Sequence, residues 1–138
     1  MSNLFKVSEA AALALHASAL MAGAQGRLLR TREIARRLNA SEAHLAKVLL
    51  SLQHAGLVRS MRGPSGGSQL ARPADRITLR HIYEAVEGPL KVAKCMFKEP
   101  VCGRPRCALG GFLRDVNQQV VDKLRNTRLS DFVLELGG

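Results

Sequence analysis

The sequence predicts a mainly α fold with a small β-hairpin wing: a winged helix-turn-helix followed by a long C-terminal helix. Three observations carry this. Between Thr31 and Leu70 a short helical pattern, a break and a longer helical pattern run directly into a segment of strand character interrupted by Arg62-Gly-Pro-Ser-Gly-Gly. An alanine-rich helical stretch precedes this run, SEAAALALHASALM. Beyond Ala108, Leu109, Phe112, Leu113, Val116, Val120 and Leu124 recur at steps of three and four.

Taken in order, Ser8 is a plausible N-cap for the first helix, which spaces Ala10, Leu13, Ala14, Ala17, Leu20 and Met21 along one side. Glu9 then falls in its first turn, where the helix dipole favours an acid, and His16 lies two turns on at the same side. Gly23, Gln25 and Gly26 end the helix, and Arg27 to Arg30 form a connector. Thr31 is expected to cap the helix REIARRL, buried through Ile34, Ala35 and Leu38. Asn39 and Ala40 break that pattern. Ser41 offers a fresh cap for a helix that buries Leu45, Val48, Leu49 and Leu52 and stops at Gly56. Leu57, Val58 and Met61 lead into the glycine-rich tip, and Gln69 and Leu70 lead out. Pro73 to Arg76 make a turn, and Thr78 caps LRHIYEAVEG, with Leu79, Ile82, Tyr83 and Val86 on the buried side. The last segment, from Leu129, is a turn of helix or extended chain.

Charge locates a function on this frame. The 138 residues carry a net +10, and from Arg27 to Arg80 eleven basic residues face three acids, a local excess of +8. Such an excess suits a polyanion, with affinity that falls steeply with salt. Aromatics are 4% of the chain, with no Trp and one Tyr, so base-stacking single-strand binding is poorly supported. In helix-turn-helix proteins the N-terminal end of the second helix enters the major groove. The expected DNA-contacting set is Thr31, Arg32, Ser41, Glu42, His44 and Lys47, with Arg59, Arg62, Ser65, Gly66 and Gly67 on the wing. The apolar stripe after Ala108 needs a partner. A second copy of the chain is the economical one, which makes this a dimerisation helix and suits a palindromic operator. No apolar run is long enough to span a bilayer and the N-terminus lacks a secretory pattern, so the chain is read as cytoplasmic with no membrane partner.

Between the last two helices, LKVAKCMFKEPVCGRPR holds two prolines and no sustained period. All three cysteines fall here, at Cys95, Cys102 and Cys107, spaced C-x6-C-x4-C. An odd number in such a chain argues against a disulfide framework, and one C-x4-C alone is weak evidence for zinc. Lys94, Lys98, Arg104 and Arg106 favour the thiolate form. Residues alone leave three readings: an iron-sulfur cluster, a metal ion, or a reactive thiol sensor.

The stretch SEAHLAKVLLSLQHAGLVRSMRGPSGGSQLA, then ITLRHIYEAVEGPL and the three cysteines, resembles the IscR/NsrR-type family of bacterial winged-helix iron-sulfur regulators over nearly the whole chain. The resemblance implies a dimeric, DNA-binding regulator that senses redox, nitric oxide or iron-sulfur status. It implies Cys95, Cys102 and Cys107 as ligands of a 2Fe-2S or 4Fe-4S cluster. Two departures stand out. The family's spacing is closer to C-x5-C-x5-C, and the IscR-type branch takes a histidine ligand three residues past its third cysteine, where this chain has Gly110. The NsrR-type branch resembles the chain at Glu9, an acid early in the first helix that reaches the cluster of the partner subunit. Glu9 is therefore the expected fourth ligand, with His16 second.

The expected layout is residues 1–90 as the winged helix-turn-helix, 91–107 as the cysteine-bearing loop and 108–138 as the dimerisation helix and tail. The alternatives are a cluster-free winged-helix regulator with thiol or metal-ion sensing, or an iron-sulfur accessory or interaction protein. An enzyme is not expected: no histidine lies near the cysteines in sequence and no phosphate-binding loop precedes a helix.

Overall fold

The computed structural model describes residues 7–92, 101 and 109–134. Among these are five α-helices and one antiparallel hairpin: α1 (Glu9–Gly23), α2 (Thr31–Leu38), α3 (Glu42–His54), β1 (Val58–Met61), β2 (Gly67–Leu70), α4 (Leu79–Glu87) and α5 (Gly110–Asn126). Single 3-10 turns occupy Ala74–Arg76 and Leu129–Asp131. The fold is the expected winged helix-turn-helix with a long helix after it.

The centre of the molecule is α1. Ser8 caps it, its Oγ accepting from the Ala11 N–H at 3.0 Å. Ala11, Leu13, Ala14, Ala17, Ala19, Leu20 and Met21 are all buried, so the helix is apolar on more than one side. It packs on α2, α3, α4, β2 and the C-terminal turn. Alanines at these positions let backbones approach closely, and Leu20 and Met21 join Leu29, Ile34, Leu45, Leu52, Ile77, Ile82 and Leu129 in one core.

The helix-turn-helix follows from two short-range signals. Asn39 adopts the left-handed conformation (φ 52°, ψ 48°) that ends α2. Ser41 caps α3, its Oγ accepting from the His44 N–H at 3.3 Å. The expected cap of α2 is corrected. Arg30 holds that position without a side-chain hydrogen bond, and Thr31 is the first helical residue.

The hairpin pairs Val58 with Leu70 and Met61 with Gly67. Residues 27–30 are more than a connector, because Leu29 pairs with Ser68 through both backbone bonds (2.9 and 2.8 Å) and so welds the wing to the start of α2. The glycines at the wing have a steric origin. A Cβ on Gly66 would lie 2.1 Å from the Met61 carbonyl oxygen, and Gly67, at φ +153°, would place one 2.7 Å from that of Leu29.

Thr78 caps α4 as expected, with its hydroxyl accepting from the His81 N–H and the His81 ring accepting from the Thr78 N–H. Of the four residues expected on its buried side, Ile82 is fully enclosed and Leu79, Tyr83 and Val86 are half-buried. In α5 the buried residue is Val121, which lies outside the expected stripe. Leu113, Val116, Val120 and Leu124 are half-buried, whereas Leu109 and Phe112 face outward, Phe112 being 65% exposed.

A Gly67→Ala variant should lose about 1–3 kcal/mol of stability, the usual cost of a residue forced into such strain, because Leu29 cannot retreat without breaking its pairing with Ser68. Urea denaturation followed by circular dichroism measures this, and unchanged stability would contradict the steric account.

Candidate nucleic-acid interface

The charged surface is assembled from α2, α3 and the wing. Arg32 and Lys47 are exposed, as are Arg59, Arg62 and Ser65 on the hairpin. Thr31 is half-buried at the first turn of α2, and the Ser41 side chain is engaged in capping. Glu42 sits in the first turn of α3, where the dipole favours it, and takes a hydrogen-bonded ion pair from Arg32 Nε at 3.2 Å. Both partners are more than half exposed, so the pair adds little stability. It does bring the two groups together across the turn between α2 and α3.

Arg59 runs along the base of the wing. The Gln69 amide, oriented to satisfy both neighbours, accepts from Arg59 Nε at 3.3 Å and donates to the Gly26 carbonyl at 2.7 Å. Arg59 and Arg72 also line a hollow of about 370 Å³ between the end of α1 and the hairpin. Ser60 and Ser68 share a hydroxyl hydrogen bond of 3.0 Å across the strands. Gly66 and Gly67 are half-buried, which ties them first to the hairpin's shape.

His44 does not stand on the outermost face of α3. It is half-buried, and its Nδ1 lies 3.8 Å from the Glu9 carboxylate at the start of α1. Lys47 does stand on that face, and so does Leu50, 49% exposed, which the sequence reading passed over. The clue lay in the run Val48-Leu49-Leu50: at 100° per residue, three consecutive apolar side chains cannot all reach one core.

Cys95, Cys102 and Cys107 lie outside the described residues, and among the described ones no group of three or more His, Cys, Asp or Glu could hold a metal ion. Two of the expected outer ligands can be tested for fit. Glu9 is 74% exposed in its side chain, so its carboxylate, engaged only loosely with His44, has the donor character and outward access to serve a site on another subunit. His16 fits less well, because its Nδ1 bonds to the Ala12 carbonyl at 2.7 Å and its ring stands edge-on to Phe132. Gly110 is the first residue of α5 and brings no ligand atom.

The approach to the cysteine-bearing stretch is anchored by Glu84. Its carboxylate accepts from the Leu90 backbone N–H at 2.8 Å and from Arg80 Nε at 2.6 Å. The Leu90 N–H, and after it the Arg80 guanidinium, outweigh the effect of burial and hold this carboxyl below its ordinary value of 4.5. On the same corner Ser8 Oγ donates to the Glu87 carboxylate, tying the start of α1 to the end of α4.

Residues 7–135 match the Rrf2 family, described as an iron-dependent transcriptional regulator. Regulators named IscR from Erwinia tasmaniensis and Xenorhabdus nematophila are 34% and 32% identical over 101 residues, 73% of this chain. The match spans 61% and 62% of those proteins' own lengths. Among solved structures, CymR, described as the global cysteine regulator of B. subtilis, superposes with a TM-score of 0.77 at 28% identity, covering 93% of this chain and 95% of that one. IscR of T. potens gives 0.71 at 25% identity over 93% and 85%. The oxidized form of Staphylococcus aureus CymR gives 0.74 at 27% identity over 97% and 100%. The named relatives are regulators, not enzymes.

The Glu84 anchor has a definite pH signature. A carboxyl whose folded pKa is depressed contributes stability that is complete above the unfolded value and is lost as pH falls through the folded one. Glu84→Gln should therefore lower stability at neutral pH and flatten its decline below about pH 4.5. Denaturation midpoints between pH 3 and 7 report this, and parallel curves for the two proteins would contradict it.

Proposed function

The chain belongs to the Rrf2 family of iron-dependent transcriptional regulators, and from that premise we propose that it binds duplex DNA as a homodimer and senses redox, nitric oxide or iron-sulfur status through Cys95, Cys102 and Cys107. The observation that carries this reading is the union of the basic helix-turn-helix and the wing in one body around α1, with Glu9 on the same helix reaching His44 of α3. In this reading Lys47 and Arg62 meet phosphates, Arg32 does so from the start of α2, and the N-terminal turn of α3 enters the major groove. Leu109, just before α5, and Phe112 on it, both exposed, are covered by the second copy, and two reading heads then meet the two halves of a palindromic operator.

The proposed ligands are the three cysteines of one subunit with Glu9 of the partner. A bound iron-sulfur cluster would supply a centre sensitive to oxidants and nitric oxide. The chain's own contribution is positional. Glu84 fastens the entry to the cysteine segment at Leu90, and the segment ends at α5. A rearrangement of the sulfurs then alters the angle between the α5 pair and the DNA-reading bodies. Glu9 adds a direct route, since a carboxylate drawn toward another subunit leaves His44.

A second reading keeps the DNA-binding head and makes the cysteines reactive thiols. It is favoured by the likeness to CymR of Staphylococcus aureus, which is solved in an oxidized form. Cysteine chemistry without iron would be its mark.

Anaerobic purification separates the two readings. The cluster reading expects a coloured protein with matched iron and sulfide, and a Cys102→Ala variant that loses visible absorption and changes operator affinity while keeping its helical content. A colourless protein whose DNA binding responds to peroxide would favour the thiol reading, and indifference of both colour and DNA binding to the substitution would remove Cys102 from sensing. Independently, Arg62→Ala should weaken binding to all duplexes and reduce the slope of log affinity against log salt by about one. A sequence-selective loss with an unchanged slope would contradict the phosphate role.

A further inference from the structure

The outermost face of α3 carries an apolar stripe where a DNA-reading helix would be expected to carry hydrogen-bonding groups. With Leu45, Val48, Leu49 and Leu52 buried on one side, the residues opposite are Ala43, Lys47, Leu50 and, in the last turn, His54, with Ala46 beside them, and all five are exposed. Lys47 and, at the far end of the helix, His54 are the ones that can donate a hydrogen bond, and between the N-terminal turn and His54 the rest are apolar. Leu50 is 49% exposed although it belongs to a domain whose other α3 leucines are enclosed. A single exposed leucine is ordinary on a protein surface, but this one lies one turn from Ala46 and two from Ala43 along the face that the helix-turn-helix geometry turns outward.

Charge says what covers this face. It carries the exposed cation Lys47 and belongs to a segment whose net charge is +8, so the complementary surface is polyanionic. Of the groups that base pairs present in the major groove, the thymine 5-methyl is the apolar one. An apolar stripe inside a cationic frame has that one complement in duplex DNA.

Resting on the proposed DNA-binding function, we infer that α3 selects thymine at defined operator positions by packing Leu50, with Ala46 and Ala43 along the same stripe, against 5-methyl groups. Lys47 supplies the neighbouring phosphate contact and little selectivity. Sequence choice then depends on shape and burial more than on hydrogen-bond pairing.

The test changes the DNA rather than the fold. A duplex is first selected from a random pool with the full chain. Each thymine of the enriched site is then replaced singly by deoxyuridine, which removes only the methyl, and affinities are measured for the chain and for Leu50→Ala. At one or more positions per half-site the chain should lose about four-fold, the amount expected for one buried methyl. Leu50→Ala should bind the parent site more weakly and show no additional loss on the deoxyuridine site. Equal affinity for thymine and deoxyuridine at every position, or an undiminished methyl effect in Leu50→Ala, overturns the inference while leaving DNA binding intact. Failure to enrich any duplex overturns the DNA-binding reading and this inference with it.

Discussion

The rest of the structure depends on how closely other elements can approach α1. Its buried alanines at 11, 14, 17 and 19 place nothing longer than a methyl at those contacts, while Leu13, Leu20 and Met21 fill the space beyond. A helix used this way cannot show one apolar stripe, because α3, α4, the hairpin and the C-terminal turn meet it from different directions. Each enclosed Leu, Ile or Met contributes roughly 1.5–3 kcal/mol on burial, and these contributions converge on a single helix. The reading head and the corner that leads to the cysteines are therefore not separately stable parts. A displacement of α1 moves both.

What was legible in the sequence was what short-range rules decide. Ser41 and Thr78 cap helices because a hydroxyl and the following backbone N–H groups are neighbours whatever the rest of the chain does. Gly66 and Gly67 marked a tip for the same local reason, though their steric partners, Met61 and Leu29, become apparent only once the hairpin closes. The pairing of Leu29 with Ser68 joins positions 39 residues apart and involves a single residue on one side, too short to leave a period. Arg30 displaces Thr31 as cap because α2 begins one residue earlier than the hydroxyl pattern suggests. The α5 stripe was legible as helix, but which of its residues would be enclosed depended on where α4 crosses it, and that selects Val121 over Phe112.

The exposed side of α3 divides into two chemistries. At its N-terminal turn, polar groups are already committed: Ser41 to capping, Glu42 to Arg32, His44 to Glu9. Along its outer side Lys47 and His54 carry them, with Ala43, Ala46 and Leu50 between and beside them. A groove-inserted helix whose hydrogen-bonding residues are engaged internally must either exchange those partners for DNA or rely on apolar contact and on the cations around it. Exposed pairs such as Arg32 with Glu42 are weak enough to exchange, so on the proposed reading the first turn responds to DNA while the outer side offers a fixed surface.

The contact between Glu9 and His44 gives this arrangement a consequence for sensing. At 3.8 Å and with 74% of its side chain exposed, Glu9 is held loosely, and the cost of withdrawing it is small. Its backbone, however, is not loose: Ser8 caps α1 and also binds Glu87 at the end of α4. A carboxylate on a firmly placed backbone can change partners without moving the helix. On the proposed reading, a tug at Glu9 from the other subunit would be transmitted in two separable ways, by release of the His44 ring at once and by motion of α1 only if the pull also breaks the link from Ser8 to Glu87. The first alters one side chain on α3, and the second reorients the whole head, so the strength of the Ser8–Glu87 corner sets which of the two the molecule uses.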